Sequence, residues 1–258
     1  MSFLIKQDFA ALHEVIMRKI IPILSLIFLG FCFIPSYGQS VQEGITALLK
    51  GVGGKTKWDS TNFILFTVNG NKTTYLQDGR TFLIDKRSGK SRFEGTTNGG
   101  ENLVVLFNFK TEKLHKYYKN GKEVVPLMSE ANDSFGKILG QFRKDASLLF
   151  LPILLDKPDT KIGKTSSKIV NAEKLQLFSF QLSDNGLSGD ILFNPETGLV
   201  KQVVDKDSNT YFVNGYKDIG GGLFLPTTFK NMSDVGKSTV FSTVAAFTDM
   251  EESKLNSL

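Results

Sequence analysis

Cysteine and histidine are almost missing from this chain: there is one Cys, Cys32, and there are two His, His13 and His115. Cys32 lies in the N-terminal segment read below as a signal peptide, which leaves a mature chain with His115 and no cysteine, so Cys–His catalysis and thiolate zinc centres are excluded there. A single cysteine also rules out the small disulfide-stapled secreted scaffold. A Ser-His-Asp triad would have to use His115 as its base. That residue lies in Lys113-Leu114-His115-Lys116-Tyr117-Tyr118, whose alternation reads as the surface of a strand. A full membrane-spanning helix is missing too. The longest apolar stretch, Ile20 to Ile34, has fifteen residues, whereas about 20 are needed to cross a bilayer comfortably.

A strong charge imbalance is likewise absent. Lys and Arg number 31 against 26 Asp and Glu. The N-terminus carries its own pattern: basic Met17-Arg18-Lys19, the apolar stretch, then Pro35-Ser36-Tyr37-Gly38-Gln39 with small residues at Ser36 and Gly38. Basic, apolar and small residues in that order are a secretory signal peptide over 17–38, cut after Gly38. Residues 1–16, with Lys6, Asp8, His13 and Glu14, fit no part of such a signal, and the reading places the true start at Met17. A retained anchor and a lipid on Cys32 are the alternatives; Phe31 is too large to precede a lipidated cysteine. Without residues 1–38, Lys and Arg fall by three to 28 and Asp and Glu by two to 24, which leaves about +4. The basic residues are scattered, so nucleic acid is not an expected partner. The expected location is the periplasm or cell envelope.

What the chain has is turn chemistry and apolar strands. Ser40-Val41-Gln42-Glu43 is a capping box, and Val41, Ile45, Leu48 and Leu49 follow at helical spacing, which predicts a helix over 40–50 ending at Gly51. From Trp58 the period changes to two. Residues 62–68, 73–77, 80–85, 91–94, 102–109 and 114–118 read as strands. Asn69-Gly70, Asp78-Gly79, Ser88-Gly89, Asn98-Gly99-Gly100 and Asn120-Gly121 supply the tight turns between them. After Pro126, Phe135, Ile138, Leu139, Phe142 and Ala146 form one helical stripe, with Asn132 or Asp133 as cap. The almost wholly apolar 148–155 extends this helical insert, 132–156. Strands resume near Lys168 over 174–181, 189–193, 199–204, 210–216, 223–230 and 237–247. The tail 251–258 reads as polar and frayed.

No βαβ alternation appears, so a doubly wound sheet is excluded. The pattern predicts an α+β domain over 39–250: a single large curved antiparallel β-sheet, an open half-barrel, with an N-terminal helix and inserted helices covering its concave face. Two separate β domains are the alternative.

Motifs that could carry catalysis fail on context. Gly51-Val52-Gly53-Gly54-Lys55-Thr56 lacks the first glycine of a phosphate loop, since Leu49 stands there, and it follows a helix. The carboxylate pairs Asp156 with Asp159, Asp205 with Asp207 and Glu251 with Glu252 lie in solvated turns. Gly220-Gly221-Gly222 reads as a hairpin turn. Greasy side chains remain. Of 22 Phe, five precede residue 39 and seventeen follow. The segment 102–109 is apolar on both faces, with Leu103, Val105, Phe107 and Phe109 on one and Val104 and Leu106 on the other. A one-sided antiparallel sheet alternates more cleanly. Something must cover the second face: the insert, with room for a lipid-like guest.

The turns carry a resemblance. Asn194-Pro195-Glu196-Thr197-Gly198-Leu199-Val200 resembles the strand–turn–strand motif of the LolA-like family, the periplasmic lipoprotein carriers and related lipid-binding proteins. Tyr216-Lys217-Asp218-Ile219-Gly220-Gly221-Gly222-Leu223-Phe224-Leu225-Pro226 is similar to a hairpin of that family. Gly53-Gly54 ahead of Trp58 resembles uncharacterised members from Bacteroidetes. The resemblance implies a half-barrel over about 40–248 whose cavity, beneath the helices, holds acyl chains. It implies a non-enzymatic, monomeric envelope protein without a cofactor that binds a lipid, a lipoprotein acyl chain or another hydrophobic small molecule, with room for peripheral membrane contact. The alternative is an envelope structural or protein-interaction module with a filled core. The expected cavity lining is Phe107, Phe109, Phe142, Phe150, Leu154, Phe178, Phe180 and Phe193.

Overall fold

The computed structural model of the chain describes residues 37–71, 73–126, 129–183 and 186–256. The chain divides into two compact units, residues 1–40 and 41–258. The segment read as a signal peptide, 17–38, lies outside the described residues except for Tyr37 and Gly38, which belong to the first helix.

In chain order the elements are α1 (Tyr37–Gly51), α2 (Lys55–Ser60), β1 (Phe63–Gly70), β2 (Arg80–Asp85), β3 (Lys90–Thr96), β4 (Asn102–Asn108), β5 (Lys113–Lys119), β6 (Lys122–Val124), α3 (Ser129–Leu149), α4 (Leu151–Leu154), β7 (Lys161–Val170), β8 (Glu173–Gln181), β9 (Ser188–Phe193), β10 (Val200–Asp205), β11 (Thr210–Asn214), β12 (Lys217–Asp218), β13 (Phe224–Leu225), β14 (Thr228–Asn231), β15 (Thr239–Phe247) and α5 (Ser253–Asn256). Thirteen of the strands form one antiparallel sheet in the order β6-β5-β4-β3-β2-β1-β15-β14-β11-β10-β9-β8-β7, while β12 and β13 pair separately. The sheet is not closed, because β6 and β7 stand at opposite edges. The first half of the chain meanders outward from the centre and the second half meanders back in. They meet where β1 pairs with β15 along its whole length.

The inner face is a row of aromatics in register. Phe66 stands opposite Phe82, and Phe82 opposite Phe93. The ring row runs from Phe229 through Phe241, Phe66 and Phe82 to Phe93 with centroid spacings of 6.1, 6.2, 5.3 and 5.1 Å. It crosses five adjacent strands and the seam between the halves. The rings of Phe66 on β1 and Phe107 on β4 both lie near Phe142 of α3, at 6.3 and 5.9 Å. Across a flat sheet those strands would stand about 14 Å apart. One helical ring touches both because the wall curves around it, which is the curvature expected.

Two helices cover this face. On the C-terminal half, α1 comes so close that a Cβ at Gly44 would meet the Phe178 ring at 2.3 Å and the Phe193 ring at 3.0 Å. A Cβ at Gly198, where φ is +71°, would meet the Ala47 carbonyl at 1.8 Å, so only glycine fits there. The two motif segments are tied together under the same helix, since the Val200 N–H donates to the Tyr216 hydroxyl at 2.8 Å.

On the N-terminal half α3 lies across the wall with Ala131, Phe135, Ile138, Leu139 and Phe142 buried. It begins at Ser129, earlier than the expected cap, and the Asn132 amide donates back to the Pro126 carbonyl at 2.8 Å. A fully buried ion pair fixes its middle. Arg80 Nε lies 3.2 Å from Asp145 Oδ2, and both side chains have 0% exposure. The Gln141 amide donates to the same carboxylate at 2.8 Å, and both Arg80 Nη atoms donate to the Gly70 carbonyl at 3.2 Å. Burial pushes the Asp145 carboxyl up from its ordinary value, against the pull of Arg80 and Gln141.

Other differences from the sequence reading have local causes. Residues 73–77 make only the bridge Leu76–Thr97. The Thr73 hydroxyl takes the N–H groups of Tyr75 and Leu76 that a ladder would use. The stretch 223–230 splits into β13 and β14 around Pro226, which has no N–H to give. β7 begins seven residues earlier than expected, at Lys161. It is an edge strand exposed on both faces, so it shows no apolar alternation, and Lys161, Lys164 and Lys168 guard it against pairing with another chain. The tail also departs from the reading: Leu255 of α5 is buried, and the helix packs against β3.

The ion pair generates an asymmetric prediction. Asp145→Leu leaves a buried guanidinium that cannot lose its proton with only the Gly70 carbonyl and the looser Asp78 carboxylate at 3.9 Å, and should cost about 3 kcal/mol in urea unfolding. Arg80→Met leaves a carboxyl that can protonate. It should cost less at pH 4 than at pH 7, because a raised folded-state pKa disfavours folding once the unfolded group ionises. The double variant should recover most of the loss. Single losses below about 1 kcal/mol would contradict this role.

Candidate functional site

Two large hollows flank the sheet. One, of about 600 Å³, is a groove on the outer face beneath residues 250–254, lined by Leu65, Leu83 and Phe247 among others. The other, of about 570 Å³, lies on the inner side between the wall and the α3–α4 corner. The outer groove is a gap between the strands and the chain's own tail. The inner one is the candidate site, because it has an apolar interior and a charged mouth.

Its interior is Ile84, Phe109, Phe142, Ala146, Phe150, Leu154 and Trp58. Each arrives by a separate route. Phe142 and Ala146 are one turn apart on α3, Phe150 is the N-cap of α4, and Pro152 early in α4 starts the new turn. Ile84 comes from β2 and Phe109 directly follows β4. Trp58 sits on α2, a helix missed by the sequence reading, which began the period-two pattern at Trp58. The Lys55 ammonium at its start pairs with Asp156 just beyond α4. The rings touch, with Phe109 5.5 Å from Phe142 and Trp58 5.3 Å from Phe150. A smaller recess of about 40 Å³ shares Ser147, Leu154 and Lys157 and borders Leu182.

The mouth carries Lys86, Lys110, Glu112, Arg143 and Lys157. Lys86 stands 3.6 Å over the Trp58 ring and donates to the Trp58 carbonyl. Burial pushes its ammonium down to about 8, with Asp59 pulling the other way.

Of the eight residues expected to line a cavity, the structure brings Phe109, Phe142, Phe150 and Leu154 together here. Phe107, Phe178, Phe180 and Phe193 are in the solid core, Phe178 and Phe193 5.0 Å apart beneath α1. Trp58 and the four cations were not foreseen. They are far apart in sequence, and nothing but the fold gathers them.

The residues considered for catalysis are otherwise engaged. His115 is exposed on β5. Asp156 pairs with Lys55, Asp159 accepts from the Ser183 hydroxyl, and Asp205 takes the N–H groups of Asp207 and Asn209 in a turn. No group of three metal-ligating side chains occurs, and no helix is long and apolar enough to cross a membrane, among the described residues.

No family model and no curated protein matches the chain. Among solved structures it is similar to a DUF1329 family protein from Desulfovibrio piger, with 10% identity over 83% of this chain and 96% of that one, at a TM-score of 0.37. A domain named for outer membrane lipoprotein sorting, from Vibrio parahaemolyticus, has 13% identity over 78% and 94%, at 0.33. LprF from Mycobacterium bovis has 10% identity over 79% and 91%, at 0.30. At such scores the function has to be argued from the cavity of this chain.

The cavity mouth yields a titration prediction. Lys86 should titrate with a midpoint near 8 in the folded protein, followed by NMR of ¹³C-methylated lysines. Its depressed folded-state value means that its contribution to stability rises as pH climbs from about 8 to about 10.5. A midpoint near the ordinary lysine value would show that the mouth is fully solvated.

Proposed function

We propose that this chain is a non-enzymatic envelope protein that holds a hydrophobic ligand between its curved sheet and the α3–α4 corner. One observation carries the reading: the inner hollow of about 570 Å³ is walled by Phe109, Phe142, Phe150, Leu154 and Trp58 at a place where helix could have sealed the wall. Its volume falls within the roughly 300–1,000 Å³ of small-molecule sites. The hollow opens to solvent through its charged mouth, so a ligand can reach the apolar wall. The size suits one long acyl chain or a compact apolar molecule. Export to the envelope is supported by the order of basic, apolar and small residues over 17–38. The alternative, a structural module with a filled core, is favoured by nothing at the α3–α4 corner, although it describes the aromatics under α1 well.

Filling the hollow tests this reading. Ala146 is half-buried and lines the cavity, so Ala146→Phe places a ring inside it while keeping a helix-compatible residue. Binding of the neutral fluorophore N-phenyl-1-naphthylamine should weaken at least about tenfold, a difference of roughly 1.4 kcal/mol, with the unfolding midpoint unchanged or raised. Unaltered binding would place the ligand elsewhere.

A further inference from the structure

Cations outnumber acids four to one in the lining of the cavity mouth; Asp59, Asp85 and Asp159 act on Lys86, Lys110 and Lys157 from a distance without forming ion pairs with them. Lys86, Lys110, Arg143 and Lys157 stand around the mouth, and Glu112 is the one acid that lines it with them. Glu112 is consumed by Arg143, with which it forms an ion pair. The outer groove is the control: Arg92 and Lys254 are balanced there by Glu94 and Glu251, and Arg92 lies 2.6 Å from Glu94.

Lys86 is the informative cation. Its ammonium lies over the Trp58 face, and its hydrogen bond goes to a neutral carbonyl. Asp59 acts on it only from a distance, and no carboxylate lies within ion-pair range of it among the described residues. A half-buried ammonium beside an apolar wall is a cost to the fold unless an anion meets it. Lys157 and Lys110 are exposed at the same mouth, and Lys110 donates to the Arg87 carbonyl at 2.8 Å.

We infer that the cavity is selective for amphiphiles with an anionic head, a carboxylate or a phosphate, the chain lying against Phe109, Phe142, Phe150 and Leu154 and the head meeting the cationic rim. This rests on the hydrophobic-ligand reading and adds a charge requirement to it. The rim is partly exposed, so the preference shrinks as ionic strength rises.

The test is displacement of N-phenyl-1-naphthylamine from the folded chain at pH 7.4 by dodecanoate, 1-dodecanol, dodecyltrimethylammonium, acetate and inorganic phosphate. Dodecanoate should bind at least about tenfold tighter than the alcohol, the size expected of a charge-assisted hydrogen bond. The trimethylammonium compound should be weakest of the three amphiphiles, and acetate and phosphate should not compete. Lys86→Met should lower dodecanoate affinity about tenfold and leave dodecanol within about twofold. Should that variant fail to fold, Lys110→Gln combined with Lys157→Gln, both exposed, should lower the preference for dodecanoate by at least about threefold. Equal affinity for the three dodecyl compounds overturns the charge requirement and leaves the hydrophobic-ligand reading standing. Competition by acetate or phosphate as strong as by dodecanoate overturns the amphiphile in favour of a simple anion site. No binding of any chain overturns both.

Discussion

The chain leaves its sheet at β6 and rejoins it at β7, the opposite edge of thirteen strands, and residues 125–160 have to bridge the two. Laid flat, such a sheet would measure nearly 60 Å across. The 21-residue helix α3 covers only about 32 Å. The connection crosses the inner face of the curved wall, and α3 meets the aromatic row there through Phe142, which lies 6.3 Å from Phe66 and 5.3 Å from Phe82. The buried Arg80–Asp145 pair then fixes where along α3 the contact falls. Removing two charges from water is expensive, and such a pair gives position more than net stability.

The hollow follows from how the cover ends. α3 stops at Leu149 and Pro152 redirects the chain into the single turn of α4. The corner between two short helical axes cannot follow a curved wall everywhere. Where α3 is straight, Phe135 and Phe142 fill the wall. Where the chain turns, Phe150 and Leu154 diverge from Ile84 and Phe109 and leave space. At α1, by contrast, Gly44 lets the helix settle directly onto Phe178 and Phe193.

Much of this architecture was legible in the sequence, and the physical reasons are specific. Period-two runs such as 62–68 and 102–109 and the Asn-Gly and Asp-Gly turns are local signals, and they gave the strands and their antiparallel order. Two-faced apolarity at Leu103 to Phe109 pointed to a covering layer. The edge strand β7 was hidden because an edge exposed on both faces buries too little to need alternation. The site was only half legible. Phe109, Phe142, Phe150 and Leu154 are apolar residues in expected elements. Phe178 and Phe193 look the same in sequence but face α1, and only the packing of Gly44 distinguishes them. Lys86, Lys110, Arg143 and Lys157 looked scattered because their proximity is tertiary, as is the pairing of Arg80 with Asp145.

The proposed function requires the inner hollow, and not the outer groove, to receive the apolar ligand. The most direct measurement is photolabelling of the folded chain with an uncharged diazirine-bearing long-chain alcohol, followed by peptide mapping. Label is expected on the segments holding Phe109, Phe142 to Phe150 and Leu154. Label confined to Leu65, Leu83, Phe247 and Met250 on the outer face would contradict it.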